Sequence, residues 1–139
     1  MNVRKYGVPP YRIAVIHGGP GAPGEMAPVA RYLSDHYGIL EPMQTAVTIQ
    51  GQIEELAEIL VKETDNQVIL IGYSWGAWLS AMVAARYPDL IQSLILVSAG
   101  PFEEQYSTVF QNRMNRLTPE EQREISDLIR SMNDPDCTE

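Results

Sequence analysis

Residues 68–85 read VILIGYSWGAWLSAMVAA, eighteen positions without a charge. That is close to the length of a membrane span, but the composition divides it. The first part is β-branched, the last is Ala-rich, and Gly72, Ser74 and Gly76 break the middle. The stretch therefore reads as a buried strand over 67–72, a tight turn, and a buried helix over 75–87 stopped by Pro88. The turn, Gly72-Tyr73-Ser74-Trp75-Gly76, has the G-x-S-x-G spacing of a nucleophile elbow, with the strand before it and the helix after it that the motif demands. Such a turn forces its central residue into strained backbone angles and lifts the side chain clear of the sheet. The residues two positions either side must be small, which explains Gly72 and Gly76. Ser74 is the candidate nucleophile, at a helix N-terminus whose dipole favours developing negative charge. The bland alternative is a Gly-rich strand-to-helix turn whose serine only caps the helix.

Outward from this stretch, strand and helix alternate. Residues 12–17 form a short apolar run that ends in a Gly/Pro cluster, as a buried strand does. Residues 25–36 place Met26, Val29, Ala30 and Leu33 at helical spacing. Residues 37–43 are a weaker strand candidate. Residues 49–62 carry Ile53, Leu56, Ala57, Leu60 and Val61 on one helical face, with Thr48 as N-cap. Residues 93–98 are another strand. This alternation predicts an α/β three-layer domain: a central, mostly parallel sheet of about four strands, continuously apolar because helices cover both faces, plus C-terminal helices. Residues 1–102 form the core in this reading. Residues 103–132 hold two helical segments and no strand, with Ile125, Leu128, Ile129 and Met132 in one stripe, and 133–139 are a polar tail.

The second constellation is His17-Gly18-Gly19-Pro20-Gly21, directly after the first strong strand. It matches the loop that supplies half of an oxyanion hole, where glycines let backbone N–H groups approach a substrate oxygen unobstructed. The N–H groups of Gly19 and Trp75 are the expected donors, with His17, Gly18, Gly72 and Gly76 as support. Alone, the loop could equally be an unoccupied Gly/Pro turn.

HGGPG followed by GYSWGAW resembles the α/β-hydrolase fold, in particular its proline-iminopeptidase-like branch, over roughly residues 12–102. The resemblance implies a serine hydrolase of small esters or amides, with residues 103–132 where such enzymes insert a helical cap. It also implies a triad in the order Ser, Asp or Glu, His. The only histidines here, His17 and His36, precede Ser74. The resemblance thus implies a chain that ends inside the cap, before the acid and the histidine, with weak or no activity. It also implies that most of an N-terminal β-hairpin is missing and that the strand at 37–43 lies at one edge of the sheet. A non-catalytic relic or binding module that keeps the pocket is the alternative, and a partner chain supplying the missing groups is a third. His17 is expected to shape its loop and His36 to lie away from the site. Glu103 and Glu104 follow the last strand, but an acid with no histidine to orient activates nothing.

Charge and composition narrow the partners. Ten Lys and Arg against eighteen Asp and Glu give −8, a poor match for nucleic acid or an anionic membrane surface. Arg4 and Lys5 precede an apolar run too short for a signal peptide. The single cysteine, Cys137, fits a reducing compartment and hence a cytoplasmic location, and it excludes Cys-rich zinc frameworks. No phosphate-binding loop or dinucleotide fingerprint is present, so no cofactor is expected. Trp75 and Trp78 are read as lining a pocket or core. The apolar edge Leu94–Val97 carries no Lys, Pro or inward charge to blunt it. With the stripe at 125–132 it predicts a homodimer, the competing arrangement being 103–132 folded back over the edge.

Overall fold

The computed structural model describes residues 2–19, 21–106 and 108–132. Cys137 and the tail at 133–139 lie outside the described residues. The chain divides into two compact units, Met1–Gly100 and Pro101–Glu139. The first contains β1 (Asn2–Tyr6), β2 (Tyr11–Ile16), α1 (Ala27–Leu33), β3 (Gly38–Met43), α2 (Ile49–Glu63), β4 (Val68–Tyr73), α3 (Trp75–Arg86) and β5 (Ile91–Val97). These strands make one five-stranded sheet in the order β1-β3-β2-β4-β5. All neighbours are parallel except β1, which runs antiparallel to β3.

Side chains alternate along a strand, and β2 uses this to feed two cores. Ala14 and Ile16 pack with Leu56 and Leu60 of α2 and Leu79 and Val83 of α3. Ile13 and Val15 pack with Met26 and Ala30 on the opposite face, which α1 covers. The result is the expected three layers. Thr48 caps α2, its hydroxyl accepting from the Gly51 N–H at 3.1 Å. Val61, expected on the buried face, is instead 65% exposed, and Ile59 is buried in its place.

Two expectations are corrected. The strand at 37–43 is not an edge, and the sheet has five strands rather than about four. β1 lies outside β3, with Val3 opposite Pro42 and Lys5 opposite Leu40. The N-terminal strand is therefore present. It is fastened by side chains: the Tyr6 hydroxyl donates to Oε2 of the fully buried Glu41 at 2.7 Å, Arg4 lies 3.8 Å from the same oxygen, and Lys5 pairs with Glu63 at 2.6 Å. Burial, reinforced by the bond to Glu41, pushes the Tyr6 hydroxyl above the ordinary tyrosine range. The second correction concerns β5, which is not covered on both faces. Ile95, Leu96 and Val97 are 48%, 40% and 41% exposed, and among the described residues only β4 pairs with it.

The second unit holds a single 3-10 turn at Glu104–Tyr106, then α4 (Val109–Met114) and α5 (Pro119–Met132). α5 starts with a capping box. The Thr118 hydroxyl accepts from the Glu121 N–H at 3.3 Å, and the Glu121 carboxylate accepts from the Thr118 N–H at 2.7 Å. Leu128 and Ile129 of its apolar stripe are exposed, and Ile125 is half-buried. Among the described residues no helix is long and apolar enough to cross a membrane.

Candidate active site

The elbow stands where β2 and β4 end side by side, with Ile16 in register with Gly72. Ser74 has φ 52° and ψ −115°, one of two non-glycine residues with positive φ among the described residues. The other, Ser98 at φ 51°, follows β5 directly beside it. Residues in this region carry roughly 1–3 kcal/mol of strain and persist only when their surroundings over-determine them. The surroundings here are specific. The Ser74 N–H donates to Val97 O at 2.9 Å, and its carbonyl accepts from the Ala77 N–H at 3.0 Å. A Cβ on Gly72 would run into the Gly76 carbonyl oxygen and come within 2.6 Å of the Ala77 Cα. A Cβ on Gly76 would meet the Ile16 carbonyl oxygen and come within 2.5 Å of that of His17. Both glycines are therefore required by close backbone approach, and α3 starts pressed against the end of β2.

The Gly-rich loop lies against this corner. Gly18 is buried, and a Cβ there would sit 3.4 Å from the Ser74 Cβ. Gly19 is exposed at φ 102°, a backbone that glycine adopts without cost. His17 is 2% exposed, and its Nδ1 lies 2.7 Å from Gly18 O. A carbonyl only accepts, so Nδ1 carries a proton and donates to it. Nε2 is buried without a partner, and among the described residues no hydrogen bond joins His17 to Ser74.

Three groups that the sequence reading did not place at the site build the rest of the corner; one of them, Glu55, is expected from the run Glu54-Glu55-Glu58 to face solvent, and is instead bonded to the chain at Thr45 and Ala46. Glu25 accepts the Gly18 N–H through Oε2 at 3.0 Å and so closes the loop on itself. Gln52 of α2, 8% exposed, accepts the Trp75 indole N–H at 2.8 Å and donates to Ala46 O at 3.0 Å. Glu55 accepts the N–H groups of Thr45 and Ala46 at 2.9 and 3.1 Å and the Thr45 hydroxyl at 2.5 Å. Partial burial pushes the Glu55 carboxyl up, but the bonds from Thr45 and Ala46 outweigh it and hold the group below the ordinary glutamate range. Their only sequence signal was position: Glu25 at the end of the glycine loop, Gln52 and Glu55 three apart on α2. Trp75 and Trp78 meet edge to face, centroids 6.1 Å apart, and the Trp78 indole N–H donates to Gly100 O at 3.2 Å.

His36 is far from this corner. It lines a surface cleft of about 360 Å³ with Arg12, Asp35 and Gly38, where β2 and β3 begin, at the other end of the sheet from the elbow. Glu103 and Glu104 belong to the second unit and are exposed.

A parallel sheet with a G-x-S-x-G strand-to-helix turn and a facing glycine loop defines the α/β-hydrolase class of architecture. The family model described as alpha/beta hydrolase fold matches residues 45–125, and the chain belongs to that family. Among curated relatives, the 2-(acetamidomethylene)succinate hydrolase of Mesorhizobium japonicum is 26% identical over 114 residues, covering 75% of this chain and 41% of the relative. The pimeloyl-[acyl-carrier protein] methyl ester esterase of Shewanella woodyi is 24% identical over 92 residues, covering 64% and 36%. Among solved structures, VinJ superposes with a TM-score of 0.78 at 20% identity, over 97% of this chain and 53% of its own. The chain thus spans about two fifths of the length of the curated relatives it matches.

Proposed function

We propose that this chain carries the nucleophile and oxyanion half of a serine hydrolase acting on a small ester or amide, with slow turnover on its own. The observation that supports this most is the strained backbone of Ser74 between β4 and α3, held by packing rather than by its sequence preference. In this reading Ser74 Oγ attacks the substrate carbonyl. The N–H groups of Trp75 and Gly19 take the charge that develops on oxygen, in a site where fixed donors cost no reorganisation. The curated relatives are a hydrolase and an ester esterase by name, which favours an acyl carbon as the target.

Slow turnover follows from the proton. No histidine follows Ser74, and His17 directs its N–H at a backbone carbonyl rather than at the serine. Serine hydrolases deprived of triad members keep roughly 10³–10⁴-fold over water from the oxyanion hole and binding alone. Hydrolysis of 4-nitrophenyl butyrate by the wild type and Ser74→Ala tests the reading. A weak rate that Ser74→Ala abolishes supports it. Equal rates in both would leave the second reading, a binding module that retains the corner without chemistry, which the buried and unpaired state of His17 Nε2 favours. The homodimer, through the exposed residues of β5, and the cytoplasmic location belong to the same proposal.

A further inference from the structure

The carboxylate of Glu25 takes the Gly18 N–H, and it borders the same small space beside Gly18 as Ser74 does. The space that a side chain on Gly18 would fill is bounded by Glu25 Oε2 at 2.9 Å, the Tyr73 ring at 3.2 Å and the Ser74 Cβ at 3.4 Å. The negative charge and the serine therefore border one Cβ-sized space, no more than about 6 Å apart. The carboxylate also occupies one N–H of the glycine loop, so that donor is not free for a substrate oxygen. Glu25 is exposed as a residue, which lets water screen it in part without removing it from the mouth of the corner.

We propose that Glu25 is a specificity-determining residue, which makes this site reject acyl groups that carry a carboxylate beside the scissile carbonyl and accept neutral or cationic ones. The inference rests on Ser74 being the nucleophile. With Oε2 and the Ser74 Cβ no more than about 6 Å apart, a substrate carboxylate next to the carbonyl would stand at a separation of about that size from Oε2. Two like unit charges at that separation, at an effective dielectric between about 40 and that of water, weaken binding by roughly threefold to tenfold. The reaction adds to this, because the tetrahedral adduct is itself negative. The overall charge of −8 acts in the same direction from farther away, and salt screens it more strongly than it screens the local pair.

Arylboronic acids test this without turnover, since the boron adds to a serine oxygen and becomes a tetrahedral anion. Phenylboronic acid, 3-carboxyphenylboronic acid and 3-(trimethylammonio)phenylboronic acid are titrated against the whole chain at low salt, with the fluorescence of Trp75 and Trp78 as signal. Each acid's own ionisation is measured in parallel. The wild type is expected to bind the neutral compound threefold to tenfold more tightly than the carboxylated one, and the cation at least as well as the neutral compound. Glu25→Gln keeps an oxygen to accept the Gly18 N–H and removes only the charge, so it brings the neutral-to-anionic ratio close to one. Glu25→Lys reverses the order. Thermal melts confirm that both variants fold. If Ser74→Ala binds the boronates as well as the wild type, the nucleophile reading fails and this inference with it. If binding requires Ser74 but the ratio is the same with Glu and Gln at 25, the inference alone is overturned.

Discussion

Gly76→Ala separates two physical effects of opposite sign. Gly76 lies in the first turn of α3, and replacing a helical glycine by alanine ordinarily gains up to about 1 kcal/mol from the reduced freedom of the unfolded chain. Against this stands the approach of α3 to β2. The added Cβ would lie on the Ile16 carbonyl oxygen and 2.5 Å from the His17 carbonyl oxygen, with the Ile16 carbonyl carbon at 2.8 Å. All three are main-chain atoms at the end of β2, where Ile16 pairs with Gly72 of β4, so no side chain can swing away. Restoring ordinary contact needs a shift of nearly an ångström in a close-packed corner. Overpacking of this kind costs about 1–3 kcal/mol, more where backbone must move, and it exceeds the helical gain. The expected net loss is about 1–2 kcal/mol, a fall in Tm of roughly 4–12 °C for a unit of this size. Calorimetry or circular dichroism reads it directly. A variant that melts at or above the wild-type temperature would falsify the close approach of α3 to β2, and with it the placement of Ser74.

Ser74→Gly removes the positive-φ strain, so it should raise Tm by a few degrees while abolishing any Ser74-dependent hydrolysis; Ser74→Ala, equally inactive, should leave Tm nearly unchanged. Gln52→Leu keeps the volume but leaves the Trp75 indole N–H without its acceptor, and about 1–3 kcal/mol of lost stability with shifted tryptophan emission is expected, an unchanged spectrum counting against the bond. Glu55 has a folded pKa below its unfolded one, so it contributes stability that is complete above the ordinary glutamate pKa and is lost as pH falls through the folded value; the pH-dependence of Tm below pH 5 should flatten in Glu55→Gln, and parallel curves would contradict the assignment. The β5 edge predicts a dimer by light scattering coupled to size exclusion at tens of micromolar, and a stable 15.6 kDa monomer would reject it.

What the sequence made legible follows from how strongly each segment is buried. β2 and β4 are covered on both faces and read as unbroken apolar runs. β1 reads Asn-Val-Arg-Lys-Tyr because it is an edge strand, and its two cations resemble a leader sequence more than a ladder. β3 was the weaker candidate because Glu41 and Pro42 interrupt it, although both are buried. Glu41 is tolerated there because Tyr6 and Arg4 reach it from β1, a partnership thirty-five residues away that no local pattern reveals. On α2 the stripe predicted Val61 where the helix instead turns Ile59 inward, a difference of two positions that periodicity alone does not fix. At the candidate site the glycines were legible because main-chain crowding leaves a residue-type signature. Glu25, Gln52 and Glu55 were not, because a polar side chain bonded to backbone has the same composition as one facing water.

The corner around Ser74 also separates two things that a complete hydrolase delivers together. Several contacts that fix the elbow come from the first unit: the Val97 carbonyl on the Ser74 N–H, the Ile16 and His17 carbonyls behind Gly76, Gln52 on Trp75, and Glu25 on the loop. Strain at the serine is therefore held by steric packing and main-chain bonds. This is physically reasonable, because backbone strain is opposed by steric packing and main-chain bonds, whereas proton transfer needs a titratable group aimed at one oxygen. A chain can keep the first in full while lacking the second. In the proposed reading, the rate would be set by how well fixed N–H groups meet the oxyanion, and the carboxylate at position 25 would decide which acyl groups come close enough for those N–H groups to act.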